Sequence, residues 1–279
     1  MNSRKYLILS FGLFLLILSA GQANDQWDAF QKQSEKYYSY LNKNDVKNFT
    51  CMFTSSMYLN YIKQAGDSTY NYPLKFIWTR SGKIYFVLQP YPNMEGDATN
   101  QETLSRIQML KKQFVGFYWD WQNYLLQSPF ADIPDNAEVR FGKDSISVNY
   151  ASGEGDLRTE VQKVFLPSGK LIMTSVRSKT ETVLNYPVYT ERDGLWVCEG
   201  WDSQIYKGGK ISSGMASRLE LNKIQGCWMP VRNEILVQSS EKPGEQFLSS
   251  IYLKDYLFNV PLQELESPDK QAQPKGNGK

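Results

Sequence analysis

Residues 217–238 read SRLELNKIQGCWMPVRNEILVQ, and their alternation decides the fold. Before the turn at Gln225-Gly226, Leu219 and Leu221 continue the phase of Met215 and alternate with Arg218, Glu220 and Asn222. After it, Cys227, Met229, Val231, Ile235 and Val237 alternate with Arg232, Glu234 and Gln238. Side chains leave a strand on alternating sides, so apolar residues at every second position predict one buried face and one wet face. The segment is an antiparallel hairpin, and from about residue 158 to 258 the chain repeats its pattern as one long meander.

Upstream of the hairpin, strands are expected at 137–141, 145–150, 158–166, 171–177, 182–190 and 195–206, and downstream at 247–258. Pro167-Ser168-Gly169, Arg192-Asp193-Gly194 and Lys207-Gly208-Gly209-Lys210 supply turns between them. Such spacings belong to up-and-down antiparallel sheets, not to βαβ units. Nearer the N-terminus, 46–54 alternates as a strand, 56–64 reads as a short helix, and 74–79 with 83–89 form a hairpin about Arg80-Ser81-Gly82. The broken stripe Trp27, Phe30, Tyr37, Tyr38 and Leu41 predicts an N-terminal amphipathic helix.

One helix stands out. Thr99-Asn100-Gln101-Glu102 matches a capping box. Leu104, Ile107, Leu110, Phe114, Phe117, Trp121 and Tyr124 then recur every three or four residues until Ser128-Pro129. The stripe is too broad and too aromatic to face water, so it packs on the sheet, either as plain core or also as one wall of a cavity.

Residues 1–23 carry the marks of an export signal: Arg4 and Lys5, the apolar run 7–18, and Gly21-Gln22-Ala23 at the cleavage positions. That run is shorter than the ~20 residues of a membrane span. Without Arg4 and Lys5 the 31 basic residues become 29, against 29 acidic ones. A balanced chain lacks the basic footprint that nucleic acid requires. The expected organisation is a signal peptide (1–23), one domain (24–262) and a polar, disordered tail (263–279). Export permits oxidation, and among the three cysteines Cys198 and Cys227 are the favoured pair for a disulfide, with three separate buried thiols as the alternative.

Residues 250–262, SIYLKDYLFNVPL, place Tyr252, Leu253, Asp255-Tyr256 and Phe258-Asn259 ahead of Pro261. This resembles the C-terminal strand of LolA-like periplasmic lipoprotein carriers. Trp228, Pro230 and Arg232, followed by Glu234-Ile235, are similar to the W-x-P-x-R strand frequent in that superfamily. The resemblance implies an α+β, β-rich fold: an antiparallel open half-barrel whose concave face is covered by amphipathic helices and binds acyl chains. It also implies a non-enzymatic carrier or sensor in the cell envelope. The long helix and the extra mid-chain strands depart from the family pattern.

Chemistry finds little to stand on. The chain has no histidine, which removes His-based triads and His-ligated metal sites. The Ser239-x-x-Lys242 spacing precedes Pro243-Gly244 in a turn, whereas a nucleophile of that type opens a helix. Glu199 and Asp202 flank Trp201 but, three apart on a strand, point to opposite faces. Asp120, between Trp119 and Trp121, reads as the wet side of its helix. Neither a cofactor nor a metal is expected. Binding is the stronger expectation, with a lipid or lipidated protein as ligand and an envelope protein as a further partner. The cleft would be lined by Phe76, Trp78, Tyr85 and Val87 from the early hairpin and by Phe114, Phe117 and Trp121 from the long helix. Ordinary core is the competing reading of each. A protein- or glycan-interacting β module without a cavity is the second hypothesis, and a carboxylate-based hydrolase the third.

Overall fold

A computed structural model describes residues 25–65, 70–90, 98–240 and 244–261. The expected signal peptide and the polar tail lie outside the described residues. Helix α1 occupies 25–35. Then come β1 (Asn48–Ser55), α2 (Ser56–Gln64), β2 (Leu74–Thr79), β3 (Ile84–Leu88) and α3 (Ala98–Trp121). Nine strands follow: β4 (Glu138–Phe141), β5 (Ile146–Ser152), β6 (Thr159–Phe165), β7 (Leu171–Arg177), β8 (Glu181–Arg192), β9 (Leu195–Lys207), β10 (Lys210–Ile224), β11 (Cys227–Ser239) and β12 (Gln246–Phe258). All twelve form one antiparallel sheet that does not close on itself, in the order β3-β2-β1-β12-β11-β10-β9-β8-β7-β6-β5-β4. The fold is β-rich α+β. Among the described residues no helix is long and apolar enough to cross a membrane.

The meander accounts for β4 to β12, each strand pairing its neighbour in sequence, as hairpin turns require. The join at β12 and β1 is the long-range step: Phe49 pairs Phe258 and Phe53 pairs Leu253. It leaves β3 and β4 as the two edges, with α3 on the connection between them.

Local chemistry sets the helices. Ser55 caps α2, its hydroxyl accepting the Tyr58 amide at 3.2 Å. α3 begins at Ala98, ahead of the Thr99 cap read from the sequence, and ends in a π-helical turn, Gln122–Leu126. Such turns recur at functional sites. The alternation of the opening hairpin is interrupted once. Leu219 pairs Asn233 but Leu221 pairs Pro230, so β11 carries an extra residue and Val231 does not extend the phase of Ile235 and Val237.

The expected Cys198–Cys227 disulfide is absent: all three thiols are free and buried. Cys198 lies on β9 and Cys227 at the start of β11, with β10 between them. Two strand spacings are about 9.6 Å, beyond the roughly 7 Å limit between bridged Cα atoms. The Cys198 thiol donates to the Gly200 carbonyl at 3.2 Å, and the Cys227 sulfur accepts the Asn44 side-chain amide at 3.2 Å.

Candidate functional site

Phe114 is the hub of α3. Its ring centroid lies 4.4 Å from Phe53, 4.6 Å from Phe76 and 5.8 Å from Phe86, touching β1, β2 and β3 at once. Phe117 and Trp121 meet it edge-on, and Trp78 stacks on Phe49. Five of the seven residues expected to line a cleft are thus brought together, but as close-packed rings that fill the space between helix and sheet: Phe76, Trp78, Phe114, Phe117 and Trp121 are all buried. The other two are on the opposite face. Tyr85 pairs Ile77 and Val87 pairs Lys75, so both point away from Phe76 and Trp78, and Tyr85 is 42% exposed. Strand β3 presents Phe86 to the helix instead. Pairing the arms one residue out of phase reverses every side chain, and the sequence reading lacked that register.

Farther along the sheet, on the side that meets the end of α3, the wall changes character. Lys163 pairs Thr174, Thr174 pairs Asn185 and Asn185 pairs Ser203, a crosswise row of four polar side chains on β6 to β9. All four are buried. The Ser203 hydroxyl donates to the Asn185 side-chain oxygen at 2.5 Å, and the Asn185 amide donates to the Asp120 carboxyl at 3.4 Å. Tyr124, in the π-turn, lies with its ring centroid 5.9 Å from Trp201. Thr174 Oγ1 and Trp201 Nε1 are buried without a hydrogen-bond partner.

Asp120 therefore does not sit on the wet side of its helix. Desolvation pushes its carboxyl up to about 7, partly offset by the Trp201 indole N–H, which faces it without full hydrogen-bond geometry. Lys163, only 3% exposed, has its amine held by the Asp132 carboxylate and the Pro129 carbonyl, the latter at 2.7 Å. Burial lowers its pKa, and Asp132 opposes that shift. Tyr150 donates to the other Asp132 oxygen at 2.6 Å, closing the network. Lys163 stands in the apolar phase of Val161 and Phe165, and that charge in a buried period is the signal that could have found it.

One pleat repeat beyond the polar row runs an apolar one. Val161 pairs Val176, Val176 pairs Val183 and Val183 pairs Ile205. From Ser203 the path continues through Met215 and Val237 to Phe247. Apart from Val161 these side chains are only partly covered, and Phe247 is 48% exposed.

The outer face is different. Arg192 pairs with Glu199, Arg218 with Asp202 and Arg232 with Glu234, around a shallow hollow of about 390 Å³. Glu199 and Asp202 are thus tied to separate arginines and converge on nothing. A second hollow, about 440 Å³, lies among Arg158, Glu160, Gln162 and Arg177 at the ends of β6 and β7. Among the described residues no three carboxylate or cysteine side chains are grouped to hold a metal. Compared with protein-family models, curated proteins and solved structures, the chain matches none of them.

Proposed function

We propose that the protein is a non-enzymatic binder of apolar chains, a carrier or sensor for a lipid or a lipidated partner, exported to the cell envelope. The observation that carries this reading is the apolar path Val176, Val183, Ile205, Met215, Val237 and Phe247. Val176, Val183 and Ile205 form one paired row, Met215, Val237 and Phe247 another offset diagonally by two residues; both share the face of Asn185 and Trp201 and are half-open to solvent. Contiguous exposed apolar tracts mark binding surfaces. Each methylene laid along one is worth about 0.8 kcal/mol, so a lipid chain needs no dedicated polar motif to bind.

The finer architecture in this reading is a half-barrel curled about α3, with the helices over its concave side. Distances support it. Phe114 touches Phe86 on β3, and Tyr124 touches Trp201 on β9. Ten helical residues cover about 15 Å, whereas six steps between flat-lying strands cover about 29 Å. A sheet bent toward the helix closes that gap. Export rests on the signal-like residues 1–23. The second reading, an envelope module that docks a protein or glycan, is favoured by rings under cations on other strands: Arg192 over Trp228, Arg232 over Tyr252 and Lys254 over Tyr72.

Titration with an uncharged probe, a pyrene-labelled long-chain alcohol, separates the two readings. Saturable uptake that Ile205→Asp abolishes, in a variant that still melts cooperatively, supports the apolar-chain binder. Folded wild-type protein that takes up no probe overturns it.

A further inference from the structure

The polar row beside the apolar path poses a question of charge. Among the described ion pairs each acidic member has its cation: Asp132 has Lys163, Asp156 has Lys179, Asp193 has Lys223, Asp202 has Arg218 and Glu199 has Arg192. Asp120 has none. Its neighbours are the Asn185 amide, the Trp201 indole and the Tyr124 ring, all uncharged. The nearest buried amine along the row, Lys163, is already committed to Asp132 and Pro129. The Asp120 side chain keeps partial access to solvent while the polar chains opposite it, Asn185 and Ser203, are buried.

Such an arrangement is costly without a partner. A carboxylate withdrawn from water is stabilised by an opposite charge or takes up a proton. Here the surroundings also hold buried polar atoms left open, Thr174 Oγ1 and Trp201 Nε1. The π-turn Gln122–Leu126 begins two residues after Asp120 and brings Tyr124 to Trp201. Asn185 is fixed at both ends, accepting from Ser203 and donating to Asp120, so the carboxyl is aimed rather than free. Val183 and Ile205 stand two residues from Asn185 and Ser203 on the same face. A chain that ends at Val183 and Ile205 therefore has its head group two residues along the same face from Asn185, the partner of Asp120.

We propose that Asp120, positioned by Asn185 and Ser203, is the seat of a cationic head group, so that the ligand is an apolar chain ending in an ammonium group. This rests on the apolar-chain reading and adds the head-group class to it. An ammonium group supplies the missing charge and a hydrogen-bond donor for the Thr174 hydroxyl oxygen, while the Trp201 indole N–H, itself a donor, is left to the Asp120 carboxyl. A carboxylate head meets like charge at the same place, and an alcohol brings one hydrogen-bond donor but no charge.

The test is displacement of the pyrene-labelled alcohol at pH 8 by hexadecylamine, hexadecanol and palmitate, using wild-type protein and Asp120→Asn. The expected result is at least a tenfold preference for the amine over the alcohol in the wild type, reduced to less than threefold in Asp120→Asn. Asp120→Asn keeps the side-chain shape and an oxygen to accept from Asn185, and a cooperative melt of the variant reports that the fold is intact. Equal displacement by amine and alcohol, or a preference for palmitate, overturns the cationic seat and leaves the apolar-chain reading standing. A wild-type protein that binds neither probe nor competitor overturns both.

Discussion

The Tyr38 hydroxyl accepts the Leu171 amide at 2.6 Å and donates to the Gly169 carbonyl at 2.8 Å, joining residues 133 and 131 positions apart. It ties down two backbone groups at the β6–β7 turn from the segment that follows α1. The approach is close enough to demand a glycine. Gly169 has φ 91°, and a Cβ there would overlap Ser34. The ring itself is held edge-on by Phe130, Tyr189 and Trp196. Tyr38→Phe keeps those contacts and removes only the hydroxyl, leaving a buried N–H and C=O unpaired. The expected loss is about 1–3 kcal/mol, read from the urea midpoint at unchanged slope. A variant as stable as the wild type would mean water replaces the hydroxyl.

Asp120 gives stability a pH dependence with a definite sign. Its folded pKa, pushed up to about 7, lies above the ordinary 3.8, so between those values the folded protein binds more protons than the unfolded chain. Stability then falls as pH rises through this window. The contribution is whole below about pH 4 and gone above about pH 7. Asp120→Asn should flatten that limb and, at pH 8, be the more stable protein by about 2–4 kcal/mol, the upper figure being the whole shift and the lower allowing for the carboxyl's partial access to water. Thermal melts from pH 4 to 8 on both proteins measure it; parallel profiles would place Asp120 in ordinary solvent.

The Lys163–Asp132 pair makes an asymmetric prediction. The lysine side chain is 4% exposed and the aspartate 39%. Asp132→Ala strands an ammonium group that has only the Pro129 carbonyl left, at a cost of about 3 kcal/mol. Lys163→Met removes the buried charge at similar volume, while Asp132 keeps Tyr150 and its access to water. It should cost less, about 1–2 kcal/mol for the orphaned carbonyl. The substitution at the more exposed residue is thus the more damaging one, a ranking that denaturant unfolding checks directly.

Free thiols carry their own consequence. Cys51, Cys198 and Cys227 are buried, and burial pushes the Cys198 thiol up to about 12. The thiolate is the reactive form. A disulfide-exchange reagent at pH 8 should therefore leave the native protein unlabelled over minutes and titrate three thiols after unfolding. Reductant should leave the melting temperature unchanged; a drop would reveal a bridge.

Local pattern made most of the sheet legible. The expected helix 56–64 and the strands 74–79 and 171–177 coincide with α2, β2 and β7, and the other meander strands fall within a few residues of expectation. Long-range register was not legible. Nothing local tells β12 that it pairs β1, and the faces of Tyr85 and Val87 depend on which residue of β2 each opposes. The buried polar row was hidden for a related reason. Thr174, Asn185 and Ser203 are unremarkable in their own strands and become a feature only when pairing sets them side by side. Asp120 misled because a charge between two tryptophans on a helix is usually solvated.

Core and binding wall should separate under mutation. Phe114 has no exposure and packs on rings from three strands, so Phe114→Ala opens a cavity and should cost about 3–5 kcal/mol. Ile205 is partly open and packs less completely, so Ile205→Ser should cost no more than about 1.5 kcal/mol. Uptake of the alcohol probe should follow the reverse order once each variant is held where it is folded. Ile205→Ser then loses affinity at least fivefold, and Phe114→Ala stays within twofold of the wild type. If Phe114→Ala abolished binding while Ile205→Ser bound normally, the ligand would lie between α3 and the early hairpin, among rings that leave it no room in this packing, and the apolar path on β7 to β12 would be no more than half-covered surface.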